Sequence, residues 1–384
     1  MQQTDSAYDE EAAKSYRAGA ASRLNDRERA HLEAALAWSE GRYTDSATGL
    51  ARIAQENPRD LLAVQFAHTS CFYLGMQHEL RDWTMQALRA FRPGDDGYGP
   101  LLGMAAFGME ECGDFARAEA MGREAVEIDP RDGWAVHAVA HVNEMRGDLE
   151  RGIPWLADNA VHWAPESGFA YHNWWHLALL YLDTGDAGHV LKLYDEKVRP
   201  DPDASIVLQS IDASALLWRL KLEGVDVGDR FTSLAAAWER SAEDAFYAFN
   251  DLHAIMAFVG AGRLADAERT LKAMRHAAAG GGDNAYMTRK VGLPAAEAFV
   301  AFEAGRYTEC VDKLAAARSL AQRFGGSHAQ RDILTLTALH AAIKGGLTAT
   351  AEAFAAERLA HKPQSPWAGR LARKVSTLRD SAAA

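Results

Sequence analysis

Cysteine is scarce: Cys71, Cys112 and Cys310 are far apart and odd in number, with no C-x-x-C pair. That excludes a disulfide framework and a thiolate metal site, and leaves small buried hydrophobes of a reducing compartment. No window approaches the roughly 18 consecutive apolar residues that a membrane span needs. The first residues, M-Q-Q-T-D-S-A-Y-D-E-E, lack the basic start and apolar stretch of a signal peptide. The expectation is a cytoplasmic protein with no membrane partner. Positive charge is also in deficit, with 41 Lys and Arg against 53 Asp and Glu for a net −12. Such a surface repels phosphate backbones, so no nucleic-acid partner is expected. Extended Val/Ile/Thr alternation is missing, which removes any expectation of a sheet. There is no P-loop, no G-x-G-x-x-G after a strand, no G-x-S-x-G and no kinase set, so nucleotide cofactors have no support. What remains is 48% hydrophobic and 24% charged, enough for a large core and too apolar for disorder along most of the chain.

Glycine supplies the organisation. Gly41, Gly75, Gly113, Gly147, Gly185, Gly224, Gly262, Gly305 and Gly345 each separate two amphipathic runs, at spacings of 34 to 43 residues. A period in that range marks a helical-hairpin solenoid, and 34 is the tetratricopeptide period. Glycine permits the sharp turn out of the first helix. An aromatic residue or Leu two positions on (Tyr43, Phe115, Leu149, Leu264, Tyr307, Leu347) is expected to pack back on it. Small residues at Ala118 and Ala267 let paired helices approach, and Pro58 and Pro130 stop second helices. The expected fold is therefore all-α, a tetratricopeptide-like right-handed superhelix of about nine helix pairs.

Those pairs fall near 28–58, 61–92, 99–130, 133–164, 169–199, 206–241, 244–277, 286–320 and 329–362. The expected domain plan is a polar arm or capping helix over 1–25, one solenoid over 26–365, and a C-terminal helix or tail over 366–384. Stretches 91–100, 199–203 and 277–284 read as loops. Pro154 and the irregular V-H-W-A-P-E-S-G mark either a kink or a site in the fourth and fifth pairs. Trp38, Trp134, Trp218 and Trp238 read as core aromatics. The adjacent Trp174 and Trp175 cannot share one helix face, so one of them is expected in the groove.

First helices line the concave face of such a stack. His137 and His141 stand at i and i+4 on one first helix, with Glu144 a turn beyond, and His172 and His176 repeat that spacing on the next. Stacked imidazoles from two neighbouring helices suit a zinc or iron ion, making these four the candidate metal ligands, although no H-E-x-x-H signature accompanies them. A divalent transition metal is the one cofactor left open; histidines that merely hydrogen-bond between helices are the competing reading. Further on, F-N-D-L-H-A-I carries Asn250, Asp251 and His253, and G-G-S-H-A-Q-R-D carries Ser327, His328, Arg331 and Asp332. Asp212 opens D-A-S-A-L-L-W-R-L. Asp beside His orients a base, and Arg331 suits a carboxylate or phosphate. Ser327 and Asp251 are equally the residue types that cap helices. Candidate catalytic groups are His172, His176, His253, His328 and Asp332. Candidate ligand contacts are His137, His141, His172, Trp174, His176, Asp212, Asn250, Asp251, His253, His328 and Arg331.

The motifs A-Y-H-N-W-W-H-L-A-L, F-N-D-L-H-A and G-G-S-H-A-Q-R-D, with D-A-S-A-L-L-W-R-L between them, resemble the tetratricopeptide repeat protein 38 family and its bacterial members. The resemblance covers about residues 30 to 365 and implies an all-helical repeat protein of cytosolic type. It carries no reaction. The positions matching its motifs are His172, Asn173, Trp174, His176, Asn250, Asp251, His253, His328, Arg331 and Asp332. Because the special residues differ from repeat to repeat, they read as one composite pocket for a small polar, anionic ligand. An enzyme, a hydrolase or lyase with or without metal, is the alternative, and a peptide-binding scaffold the second alternative. A homo-oligomer stays open.

Overall fold

Amphipathic runs separated by glycine turns become helix pairs in the computed structural model, which describes Thr4 and residues 9–383. Helix α1 (Asp9–Ala20) leads into α2 (Asp26–Ser39) with α3 (Tyr43–Glu56), α4 (Leu61–Leu74) with α5 (Gln77–Leu88), and α6 (Tyr98–Glu111) with α7 (Phe115–Ile128). Then come α8 (Gly133–Arg146) with α9 (Leu149–Trp163), α10 (Ala170–Thr184) with α11 (Ala187–Leu193), and α12 (Val207–Leu222) with α13 (Arg230–Glu239). The last are α14 (Ala248–Gly260) with α15 (Leu264–Ala278), the short α16 (Asp283–Met287) running into α17 (Leu293–Glu303) with α18 (Tyr307–Arg318), α19 (His328–Lys344) with α20 (Thr348–His361), and α21 (Pro366–Ala383). No strand occurs among the described residues. The fold is an all-α, tetratricopeptide-like solenoid. The rest of the expected polar arm, residues 1–3 and 5–8, lies outside the described residues.

Eight of the nine turn glycines take positive φ as the repeat requires. The ninth does not: Gly345 has φ −83 and is helical, while its neighbour Gly346 turns at φ +67. Extending α19 by one residue moves the turn along by one. Ala118 and Ala267 are buried where paired helices meet, and α3 and α7 end two residues before Pro58 and Pro130. Leu264 departs from the pattern, being 58% exposed, because the N-terminal turn of α15 points it outward. Pro154 breaks nothing. It sits inside α9, and the irregularity is confined to the connection after Trp163, where Glu166 takes φ +57.

The inner helices of early and late pairs touch. Helix α19 packs against both α8 and α12, and α21 packs against α10. Polar contacts span the same gap. The Tyr247 hydroxyl lies 2.8 Å from the Tyr73 carbonyl and 3.2 Å from that of Phe324. Asp183 accepts from the Ser365 hydroxyl and the Trp367 amide, both at 2.8 Å. Gly75 packs so tightly on the Gln322 carbonyl that a Cβ there would stand 1.5 Å from its oxygen. The solenoid closes on itself, and one apolar cluster runs from Trp38 to Val375. Residues that would face solvent in an open groove become interior.

Candidate functional site

That closure explains why side chains of the polar motifs are buried. On α8, His137 and His141 project one turn apart, and on α10 His172 and His176 do the same; all four are buried. Five of the ring-to-ring distances lie between 4.4 and 4.9 Å. Their carboxylate partners come from three helices. Nδ1 of His172 lies 2.7 Å from Asp212 of α12, and Nδ1 of His176 lies 2.9 Å from Glu144 of α8. Glu110 of α6 approaches Nδ1 of His141 to 3.4 Å without hydrogen-bond alignment. Nε2 of His172 stands 3.1 Å from Nε2 of His137. One ligand nitrogen from each of His137, His172 and His176 can be chosen so that all three lie within 4.8 Å of one another. His141 groups instead with Glu110 and Glu111.

Burial dominates the electrostatics. It pushes the pKa of His137 and His176 well below the ordinary histidine value, and neighbouring imidazoles add to the effect. His141 is lowered to about 4, again by burial first. These rings are neutral near pH 7, the form that binds metals. Burial raises Glu110 well above the usual carboxylate range, and the charge on Glu111 raises it further. Burial pushes Glu111 the same way, but Arg331 and His328 overcome it and hold its carboxylate at about 2.

Glu111 joins this cluster to the G-G-S-H-A-Q-R-D motif. It pairs with Arg331 at 3.0 Å and accepts the His328 amide at 2.9 Å. Lys362 makes a second link, 3.4 Å from Glu144. The His328, Arg331 and Lys362 ends of these links border a cavity of about 280 Å³, together with Arg318, Asp332 and Arg358. Its cations already face carboxylates: Arg358 pairs with Asp332 at 2.6 Å and Arg318 with Glu357. Burial raises the Asp332 carboxyl, but Arg358 and Lys362 more than reverse that and hold it far below the usual range.

On the other side of the histidines lies a cleft of about 420 Å³ walled by Phe72, Tyr73, Trp134, Leu208 and Phe249. It shares Thr69, Phe72, Tyr73, Trp134, Leu208 and Gln330 with a recess of about 50 Å³ that ends on His137 and His172. Trp134 is 51% exposed and stacks on Phe169 at 3.8 Å. It is a wall of the cleft and not the core residue its apolar neighbours predict: Gly133, Ala135 and Val136 beside it are buried, but its own side chain leaves the packed face of α8 for the Phe169 ring.

The single composite pocket therefore divides in two. His137 and His172 reach the aromatic side and His328 and Arg331 the basic side, while His141 and His176 form the partition with Glu110 and Glu144. Arg331 is fully occupied, holding the Gly326 carbonyl, Glu111 and His328. His253 stands apart: its Nδ1 donates to the Phe249 carbonyl of its own helix at 2.7 Å. Asn250 bonds to Thr4, and Asp251 lines a small recess with Thr4 and Ser241. Ser327 caps α19 in a capping box with Gln330. Asp251 caps nothing, since α14 begins at Ala248 and its N-cap is Tyr247. Trp174 also leaves the site, packing on Trp163 at 4.7 Å beneath Lys197. Trp175 is the inward one, stacked on His172 at an interplanar angle of 13°. The sequence reading missed Glu110, Glu111, Lys362 and the Phe169 wall. Two adjacent carboxylates ending the otherwise apolar Y-G-P-L-L-G-M-A-A-F-G-M-E-E were the available signal.

No family model matches the chain. Similar solved structures include an APC/C hetero-tetramer, Cut9-Hcn1, at 13% identity and a TM-score of 0.44, covering 96% of this chain and 60% of that one. A human IFIT1 dimer with PPP-AAAA is similar at 12% identity and a TM-score of 0.30, covering 97% of this chain and 95% of that one. The chain thus spans 60% of the length of the Cut9-Hcn1 chain it matches. Neither likeness transfers a residue role.

Proposed function

We propose that this protein encloses a small molecule with an apolar, aromatic-compatible body, whose polar head reaches the His137–His172 end of the cleft. The observation that carries this reading is the continuity of the aromatic cleft with the recess that ends on those two imidazoles. Concave sites with apolar walls and a few convergent polar groups are the usual form of a small-molecule site. Compared with the sequence expectation, the apolar body replaces the Arg331 grip, because Arg331 borders the other cavity. An extended peptide has little room along the inner helices, since α19 and α21 already lie against α8, α12 and α10. The same reading places the chain with the tetratricopeptide repeat protein 38 family, whose motif residues His172 and His176 fall in this cluster. It also places the protein in the cytoplasm, consistent with three free cysteines.

The test is saturable binding of an aromatic anionic probe, anilinonaphthalene sulfonate, followed by fluorescence. One site per chain is expected, lost in Thr69→Trp, which fills the shared wall, and retained in Arg318→Ala on the opposite cavity. Binding that ignores Thr69→Trp would overturn the reading.

A further inference from the structure

The tautomers of the histidine cluster leave it with a specific deficiency. With Asp212 and Glu144 as acceptors, Nδ1 of His172 and His176 carries the hydrogen of each contact. In that tautomer Nε2 of each ring offers a lone pair. His137 can donate from Nε2 to one of them, His172 at 3.1 Å. That leaves Nε2 of His176 and Nδ1 of His137 buried without partners, as they are found. An anion placed here would meet lone pairs. Converging lone pairs suit a Lewis acid.

We propose that His137, His172 and His176 bind one divalent transition-metal ion of the zinc or iron(II) class through Nε2, His137 then carrying its hydrogen on Nδ1, with a coordination position open toward the aromatic cleft. Three features carry the assignment. First, two nitrogens on one tetrahedral ion at about 2.0–2.1 Å stand roughly 3.3 Å apart, close to the 3.1 Å between His137 and His172. Second, carboxylates behind His172 and His176 fix the ring orientation and raise ligand basicity, the usual outer partners of metal-bound histidine. Third, the ligands come from α8 and α10 inside a closed core, and the recess bordered by Phe107, Trp134 and Phe169 reaches two of them, His137 and His172. Three neutral imidazoles with a fourth position free is the donor set of catalytic zinc sites. His141 sits behind the set with Glu110 and is not a ligand.

The proposal does not depend on the organic ligand of the cleft, and zinc alone tests it. Full-length protein without a histidine tag is stripped with a chelator and titrated with zinc against a chromophoric competitor, and with cobalt(II) by visible absorption. One equivalent should bind, giving d–d bands of a four- or five-coordinate site. His172→Ala and His176→Ala should each abolish stoichiometric binding. Asp212→Asn and Glu144→Gln, which leave every ligand in place, should weaken it about 10–100-fold and shift the cobalt bands. His253→Ala should bind as the parent does, with circular dichroism reporting folding throughout. Substoichiometric zinc in the folded parent would overturn the proposal. So would full affinity in Asp212→Asn and Glu144→Gln together, or in either folded alanine variant. Loss of anilinonaphthalene sulfonate binding with zinc binding intact would sink the cleft reading alone.

Discussion

Arg331 and Glu111 are 220 residues apart in sequence, yet they form a buried ion pair of 3.0 Å. The pair fastens α19 to α6 across the interior, and through Glu110 it adjoins the histidine cluster. Removing one member of a buried pair strands the other charge, at a cost of about 3–5 kcal/mol. Arg331→Met should therefore lower stability to urea by about that amount. Arg331→Met combined with Glu111→Leu should recover most of it, because neither charge is then buried alone. A loss below about 1 kcal/mol, typical of surface pairs, would mean the closure does not rest on this contact.

Glycine turns offer an internal comparison. Gly41 and Gly75 share the same turn role, with φ +75 and +64. Alanine at Gly41 would meet nothing within 4 Å, whereas at Gly75 it would run into the Gln322 backbone. Gly41→Ala should cost only the left-handed penalty of about 1–2 kcal/mol. Gly75→Ala should cost clearly more, since α4 must separate from the turn before Gly325. Equal effects in thermal melts would contradict the close approach of the two ends.

The repeat was legible because it is local: each glycine, each small residue and each proline acts within its own hairpin. The histidine pairs were legible for the same reason, since i, i+4 spacing places both on one face. Closure was not, because it depends on small rotations accumulated over many pairs. The sequence therefore put Arg331 and His172 on inner helices and in one pocket, whereas they border two separate cavities. Trp134 failed similarly: Ala135 and Val136 beside it are core, but its own side chain points off the packed face of α8 and stacks on Phe169.

Acid should destabilise the protein through its buried histidines. His68 and His253, lowered by burial from 6.5 to about 4, take up a proton in the unfolded chain before they do in the fold. Their contribution is present in full above 6.5 and is lost as pH falls toward 4. Melting temperature should drop over that window, and less steeply in the double variant His68→Gln, His253→Gln. An unchanged slope in that variant would contradict the neutral, buried state of these two rings.

Asp251 should act in the opposite direction. Burial, with a contribution from Asp244, raises its carboxyl from 3.8 to about 8. The fold then holds a proton that the unfolded chain has released, so stability falls as pH rises from about 4 to about 8. Asn mimics the protonated form. Asp251→Asn should raise the melting temperature more at pH 8 than at pH 5, and an equal or reversed effect would place an ionised carboxylate there.

An anomalous difference map at the zinc edge, from crystals of tag-free protein exposed to zinc, tests the interior site most directly. Coordination by the histidine cluster predicts one strong peak about 2.0–2.1 Å from Nε2 of His137, His172 and His176, with Asp212 and Glu144 still on the opposite nitrogens. Peaks confined to surface carboxylates, with no scatterer among the three imidazoles, would contradict it.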